Sequence, residues 1–205
     1  LNLVTRRVLF GDGYAGLPNS GFADSLKNIT IKDIKKSHQQ LIKPQGATLI
    51  VVGSISKTQL QSALDQTLAQ WTGKASIQRR PVQTKLKKSG IHWIDFPKST
   101  QSAIAIVKPV ASHMAVQAPF AEQLFNRVYG GTFTSRLNLN LREDKGYTYG
   151  AYSGLYRYQH AGMFLSSAMV KADTTLASLQ EVYQELKLIQ ASKPITQPEL
   201  DKVRT

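Results

Sequence analysis

Gly130-Gly131-Thr132-Phe133-Thr134-Ser135-Arg136-Leu137-Asn138-Leu139-Asn140-Leu141-Arg142-Glu143-Asp144-Lys145-Gly146-Tyr147-Thr148-Tyr149-Gly150 is the stretch on which the fold turns. The glycine pair stops one helix, and the Ser/Thr cluster after it caps the next. A segment ending in charges follows, and then Gly146 leads into an aromatic alternation that reads as a strand. Leu137, Leu139 and Leu141 stand at period two, which also fits a strand; a helix is the expectation. Arg142 is then near a helix end and Tyr149 on the strand that follows. These two polar side chains, seven positions apart, could meet in space.

On the N-terminal side of this block, Pro119 suits the first turn of a helix carrying Phe120, Leu124, Phe125, Val128 and Tyr129. Before it, Ile91–Phe96 and Ser102–Lys108 read as strands joined through Pro97-Lys98-Ser99-Thr100. On the C-terminal side, Tyr147–Tyr158 and Met163–Val170 flank Gln159-His160-Ala161-Gly162 as a hairpin. Thr174 or Thr175 caps a helix with Leu176, Leu179, Val182, Tyr183, Leu186 and Ile189 in register. Thr196-Gln197-Pro198-Glu199 opens one more helix, which at about two turns lacks the length to hold itself. With Leu1–Phe10 read as the end of a helix, the expectation is a piece of a longer chain.

Between these, Gly11 to Gly21 is a glycine-rich loop. Thr30 with Asp33 opens a helix whose stripe, Ile31, Ile34, His38, Leu41 and Ile42, is expected to be buried. Ala47–Val52 is a continuous apolar run and reads as a central strand. Ser56 with Gln59 caps the next helix, where Leu60, Ala63, Leu64, Leu68 and Trp71 share a face, and Gly73 stops it. Thr72–Gly90 is basic, holds Pro81 and has no period, so a boundary is placed there.

A chain of 205 residues, 41% hydrophobic and 19% charged, is long and apolar enough to bury a real core. Its longest apolar runs are far too short to span a bilayer. The absence of cysteine excludes a disulfide framework, a thiolate metal site and a thiol nucleophile. The net charge of +13 and pI near 10.0 raise an acidic partner or polyanion. The basic residues crowd from Lys74 to Lys108 against Asp95 alone, and a solvated linker explains much of that run. Aromatics are not interleaved with the basic residues of 74–88, so nucleic acid is not the expected partner.

Several motifs fail on context. Gly11-Asp12-Gly13-Tyr14-Ala15-Gly16 spells a dinucleotide fingerprint, but Pro18 and Asn19-Ser20-Gly21 follow where a helix must begin. Asn28-Ile29-Thr30 spells a glycosylation sequon, and Thr30 is better explained as a helix cap. His38, His92, His113 and His160 are scattered singly, and His38 reads as a core residue. With no H-E-x-x-H and no H-x-x-E-H, this chain is expected to form no zinc site alone. An arginine can fork onto a peptide carbonyl or carboxylate, and a tyrosine hydroxyl can donate to a developing oxyanion. On chemistry alone the favoured reading of Arg142 and Tyr149 stays structural: a helix-end arginine stabilising the dipole and a core tyrosine.

The same residues carry a resemblance. Gly130-Gly131 with Phe133, Ser135-Arg136-Leu137, Leu141-Arg142-Glu143 and Gly146-Tyr147-Thr148-Tyr149 resemble the pitrilysin, insulinase and mitochondrial processing peptidase family of zinc metallopeptidases. Leu9-Phe10-Gly11, Ile29-Thr30, Asp33-Ile34 and Val51-Val52-Gly53 extend the likeness over almost the whole chain. It implies an α+β fold of mixed, largely antiparallel sheets packed with helices. On this reading residues 1–75 are the back of one such domain, 76–90 a basic linker, and 91–205 a second homologous domain truncated at its end. The chain matches the zinc-free, inactive-domain region, so it would hold no cofactor of its own. Zinc is expected in the complete enzyme, on an H-x-x-E-H motif in an absent segment or a homologous partner half. The resemblance further implies that Arg142 holds the backbone of a peptide substrate and that Tyr149 stabilises the tetrahedral intermediate. Tyr147, five positions from Arg142, fits that spacing less well. A bacterial periplasm or cell envelope is the expected setting. Two other readings stand beside it: a non-catalytic core subunit of the same fold, and a basic polyanion-binding domain.

Overall fold

The computed structural model describes residues 1–76, 82 and 89–204. In chain order its elements are helix α1 (Asn2–Phe10), α2 (Ala23–Lys27), α3 (Ile31–Leu41) and α4 (Lys57–Leu68), then strand β1 (Gln101–Val110). Helices α5 (Pro119–Asn126) and α6 (Arg136–Asn138) precede the hairpin of β2 (Thr148–Arg157) and β3 (Gly162–Lys171). Helices α7 (Thr175–Ile189) and α8 (Gln197–Arg204) close the chain. Contacts divide it into two compact units, one of Leu1–Asn19 with Pro81–Thr205 and the other of Ser20–Arg80. Helix α1 therefore groups with the C-terminal sheet. Most of the linker expected over 76–90 lies outside the described residues.

In the larger unit, three antiparallel strands run in the order β1-β3-β2, from Gln101↔Lys171 to Val110↔Gly162 on one side and Arg157↔Gly162 on the other. The expected hairpin is there. Successive side chains of a strand point to opposite faces, and the central β3 shows both destinations. Phe164, Ala168 and Val170 join Ile104, Tyr129, Leu137, Leu141, Val182 and Ile189 in one core. Met163 and Leu165 face the other way, into a smaller core with Leu9, Phe10 and Ala15. Each fully buried aliphatic or aromatic side chain of this kind contributes about 1.5–3 kcal/mol.

The ambiguous leucines resolve as helix. Leu137 and Leu141, four apart, are fully buried while Leu139 is exposed, which is the helical period and not the strand one. The glycine pair ends a π-helical turn (Arg127–Gly131) and does more than stop it. A Cβ at Gly130 would lie 2.5 Å from Ser153 Oγ and 2.9 Å from Ser153 N, so only glycine lets this turn touch β2. The edge of β2 is covered by side chains: Asn138 Oδ1 accepts the Ala151 N–H at 3.0 Å, and Asn126 Nδ2 donates to Ser153 O at 3.3 Å. An edge so capped cannot template further pairing there.

In the smaller unit the local signals hold. Thr30 and Asp33 form a reciprocal capping box on α3, as Ser56 and Gln59 do on α4. Burial differs from expectation. Ile31, Ile34, Leu41 and Ile42 are exposed, and so is His38, which is not a core residue. On α4, Leu60 and Leu64 are half-buried while Leu68 remains exposed, as does Trp71, which lies beyond the end of the helix. Ala47–Val52 and Ile91–Phe96 form no strand, and Val52 and Ile91 are 94% and 96% exposed. A strand exists through the backbone hydrogen bonds of its neighbours. Among the described residues nothing pairs with either segment; the bridge Gln45↔Lys74 falls outside both. Phe120, Leu176 and Tyr183, expected on helix stripes, are likewise exposed at the margins of those stripes.

Candidate functional site

Ser135-Arg136-Leu137 starts the helix that leads to Arg142, and Arg136 fastens it to the end of the chain. Its Nε donates to Glu199 Oε1 at 2.6 Å and its Nη2 to Glu199 Oε2 at 2.7 Å, while Nη1 and Nη2 reach the Lys193 and Pro194 carbonyls. The Arg136 guanidinium, helped by the Thr196 N–H and hydroxyl, brings the Glu199 carboxyl down to about 2. Helix α8, expected to lack the length to hold itself, is held by this bidentate pair and by the buried Val203. Tertiary contact replaces length.

Helix α6 continues as a second π-helical turn, Leu139–Asp144. The Lys145 N–H reaches Asn140 O at 2.9 Å, and the Tyr147 N–H reaches Leu141 O at 2.9 Å. A π turn holds more residues than an α turn and so changes which side chains share a face. Leu141 enters the core, and Arg142 beside it stays at the rim with a side chain 32% exposed. The Arg142 guanidinium carbon lies 4.3 Å from the centroid of the Phe133 ring. Its Nη1 is 3.3 Å from Glu143 Oε1, within ion-pair range, yet that buried nitrogen completes no hydrogen bond among the described residues.

Gly146, at φ 61, then turns the chain into β2. The start of β2 is irregular. Thr148 pairs with Val170 but Ala151 with Ala168, so one extra residue is accommodated around Tyr149-Gly150. Thr148 pins this bulge: its hydroxyl donates to Met169 O at 2.5 Å and accepts the Gly150 N–H at 3.1 Å. A bulge bends a strand and re-aims its side chains, and Tyr149 is 92% exposed. With Leu1, Gln101, Tyr152, Ser167 and Met169, Tyr149 lines an open groove. Arg142 does not line that groove. Both site residues expected from sequence are therefore at the surface, Tyr149 almost wholly and Arg142 in part, and neither fills the core.

Two supporting residues were not expected to matter here. Asn138 is fully buried, and besides capping Ala151 it donates from Nδ2 to Phe133 O at 2.7 Å. An asparagine between leucines carries no such signal in a sequence. Phe133 was visible only as part of the resembling block.

The four histidines are all exposed. Among the described residues no three His, Asp or Glu side chains gather where they could hold a metal ion. No described helix is long and apolar enough to cross a membrane.

The family model described as the peptidase M16 inactive domain matches residues 28–205. The chain belongs to that family. As an M16 inactive domain it is 24% identical over 197 residues to a Bacillus subtilis protein named "Uncharacterized zinc protease YmxG", covering 95% of this chain and 46% of that one. It is 26% identical over 178 residues to another from the same organism, named "Probable inactive metalloprotease YmfF", covering 86% and 41%. The crystal structure of a peptidase M16 inactive domain from Pseudomonas fluorescens superposes with a TM-score of 0.81 at 26% identity, over 98% of this chain and 48% of that one. The α+β fold of helices on a small antiparallel sheet is thus that of the M16 inactive domain. The chain spans about half the length of the curated relatives it matches.

Proposed function

We propose that this chain is the substrate-binding, zinc-free portion of a zinc-dependent peptidase. Its own described residues offer no metal cluster, and zinc would be held by an H-x-x-E-H motif in another segment or a homologous partner half. Arg142 takes the backbone of a peptide bound between the halves, and Tyr149 donates from its hydroxyl to the oxyanion that forms at the scissile carbonyl. The observation that carries this reading is the bulge at Tyr149-Gly150, which leaves Tyr149 almost wholly exposed where it lines an open groove. A tyrosine serving only the core would have no need of it.

The test is Tyr149→Phe in the complete assembly. Losing one oxyanion donor costs about 100- to 1,000-fold in rate, roughly 3 kcal/mol, and unchanged kcat/KM refutes the role. A second reading, a non-catalytic subunit of the same fold, is favoured by the relative named as an inactive metalloprotease. It requires that Tyr149→Phe and Arg142→Gln both leave the assembly's function unaltered. We propose a bacterial periplasm or envelope as the setting, which cell fractionation checks.

A further inference from the structure

Phe133 is a large apolar side chain left 56% exposed in the loop ahead of α6, so burial of its ring does not explain it. The ring instead carries the Arg142 guanidinium, 4.3 Å from its centroid. A cation held over an aromatic face is attracted by the ring quadrupole, while the N–H donors of a guanidinium lie in its own plane. The ring can therefore fix where the guanidinium sits, and with Nη1 buried it is the other donors of the fork, Nε and Nη2, that are left for a carbonyl or carboxylate. Glu143 does not do this work: it approaches one nitrogen at 3.3 Å, and that nitrogen completes no hydrogen bond among the described residues.

The platform is itself anchored. The Phe133 carbonyl accepts from Asn138 Nδ2 at 2.7 Å, and Asn138 Oδ1 accepts the Ala151 N–H at 3.0 Å, two residues beyond Tyr149. Asn138 is fully buried, so this link is shielded from water. One chain of contacts runs from the guanidinium through the ring and the amide to the strand that presents the phenol. We propose that Phe133 is a positioning residue for Arg142, holding its donors in register with Tyr149 toward a peptide backbone. This rests on the function proposed above.

Peptide hydrolysis by the complete assembly tests it with Phe133→Leu, Phe133→Tyr and Arg142→Gln. Phe133→Leu should raise KM by roughly 3- to 10-fold with kcat little changed, and Phe133→Tyr should restore KM to within about two-fold. In an Arg142→Gln background Phe133→Leu should add nothing, since its effect passes through the guanidinium. The Arg142 δ-protons should show a ring-current shift that Phe133→Leu abolishes and Phe133→Tyr keeps. Equal losses in Phe133→Leu and Phe133→Tyr, or a silent Phe133→Leu where Arg142→Gln is damaging, overturn the positioning role and leave the parent function standing. An inert Arg142→Gln overturns both.

Discussion

The buried amide of Asn138 joins the helix that leads to Arg142 to the strand that bears Tyr149, taking the Ala151 N–H at 3.0 Å. No described strand pairs with β2 on this side, so a side chain takes the N–H that a neighbouring strand would otherwise accept. Asn138→Leu strands the Ala151 N–H and frees the Phe133 carbonyl, and a buried polar group left without a partner costs about 1–3 kcal/mol. Urea unfolding should show that loss, and Asn138→Asp, which sets a carboxylate oxygen against the Phe133 carbonyl in a fully buried site, should lose at least as much.

Gly130 lies against β2 with no space for a methyl group, 2.5 Å from Ser153 Oγ and 2.9 Å from Ser153 N at the position of an added Cβ. Gly130→Ala should destabilise by about 1–3 kcal/mol. Ser153→Gly in the same chain should recover only part, because the backbone nitrogen stays. Full recovery in thermal unfolding would place the strain in the hydroxyl alone.

Glu199 titrates at about 2 in the folded chain, against an ordinary 4.5, because Arg136 hydrogen-bonds its charged form. A depressed carboxylate contributes stability that is complete above its unfolded value and is lost as pH falls toward the folded one. Between pH 5 and 2 the unfolding free energy should fall. Because Glu199 keeps 31% of its side-chain exposure, the pair's share after screening is about 1–2 kcal/mol. Denaturant melts over that range should show a shallower slope for Glu199→Gln, which removes the titrating group.

Gly146 holds φ 61 at the turn between Arg142 and Tyr149. A side chain in that left-handed conformation costs about 1–2 kcal/mol, least for asparagine. Gly146→Val should destabilise and Gly146→Asn be tolerated. Equal melting temperatures for the two would argue that the turn readily takes another shape.

Tyr149, nearly free of protein contact, should be replaceable without cost to the fold. Tyr149→Ala is expected to change stability by less than about 0.5 kcal/mol. Tyr129→Ala, which empties a fully buried site, should cost about 3–5 kcal/mol. Unfolding curves for the pair show whether a catalytic defect in Tyr149 variants can be read as chemistry.

Local chemistry was legible from the chain alone. The boxes at Thr30 and Ser56, the hairpin around Gln159–Gly162, and the helix leading to Arg142 all depend on residues within a few positions of one another. So did the seven-residue spacing of Arg142 and Tyr149, since spacing is a property of sequence. The short helix α2 gave too few periodic positions to be seen.

What the tertiary structure decided is wherever a residue needs a distant partner. Apolar runs at 47–52 and 91–96 have strand composition, but hydrogen-bonded pairing requires a neighbour, and no described strand pairs with them. The stripe of α3 has helical period, yet period alone does not say what will cover it. The register slip that turns Tyr149 outward arises only when β2 meets β3, and the ring beneath Arg142 only when the loop folds back over the π turn. Sequence determined which residues could act; long-range contact decided which of them face the solvent.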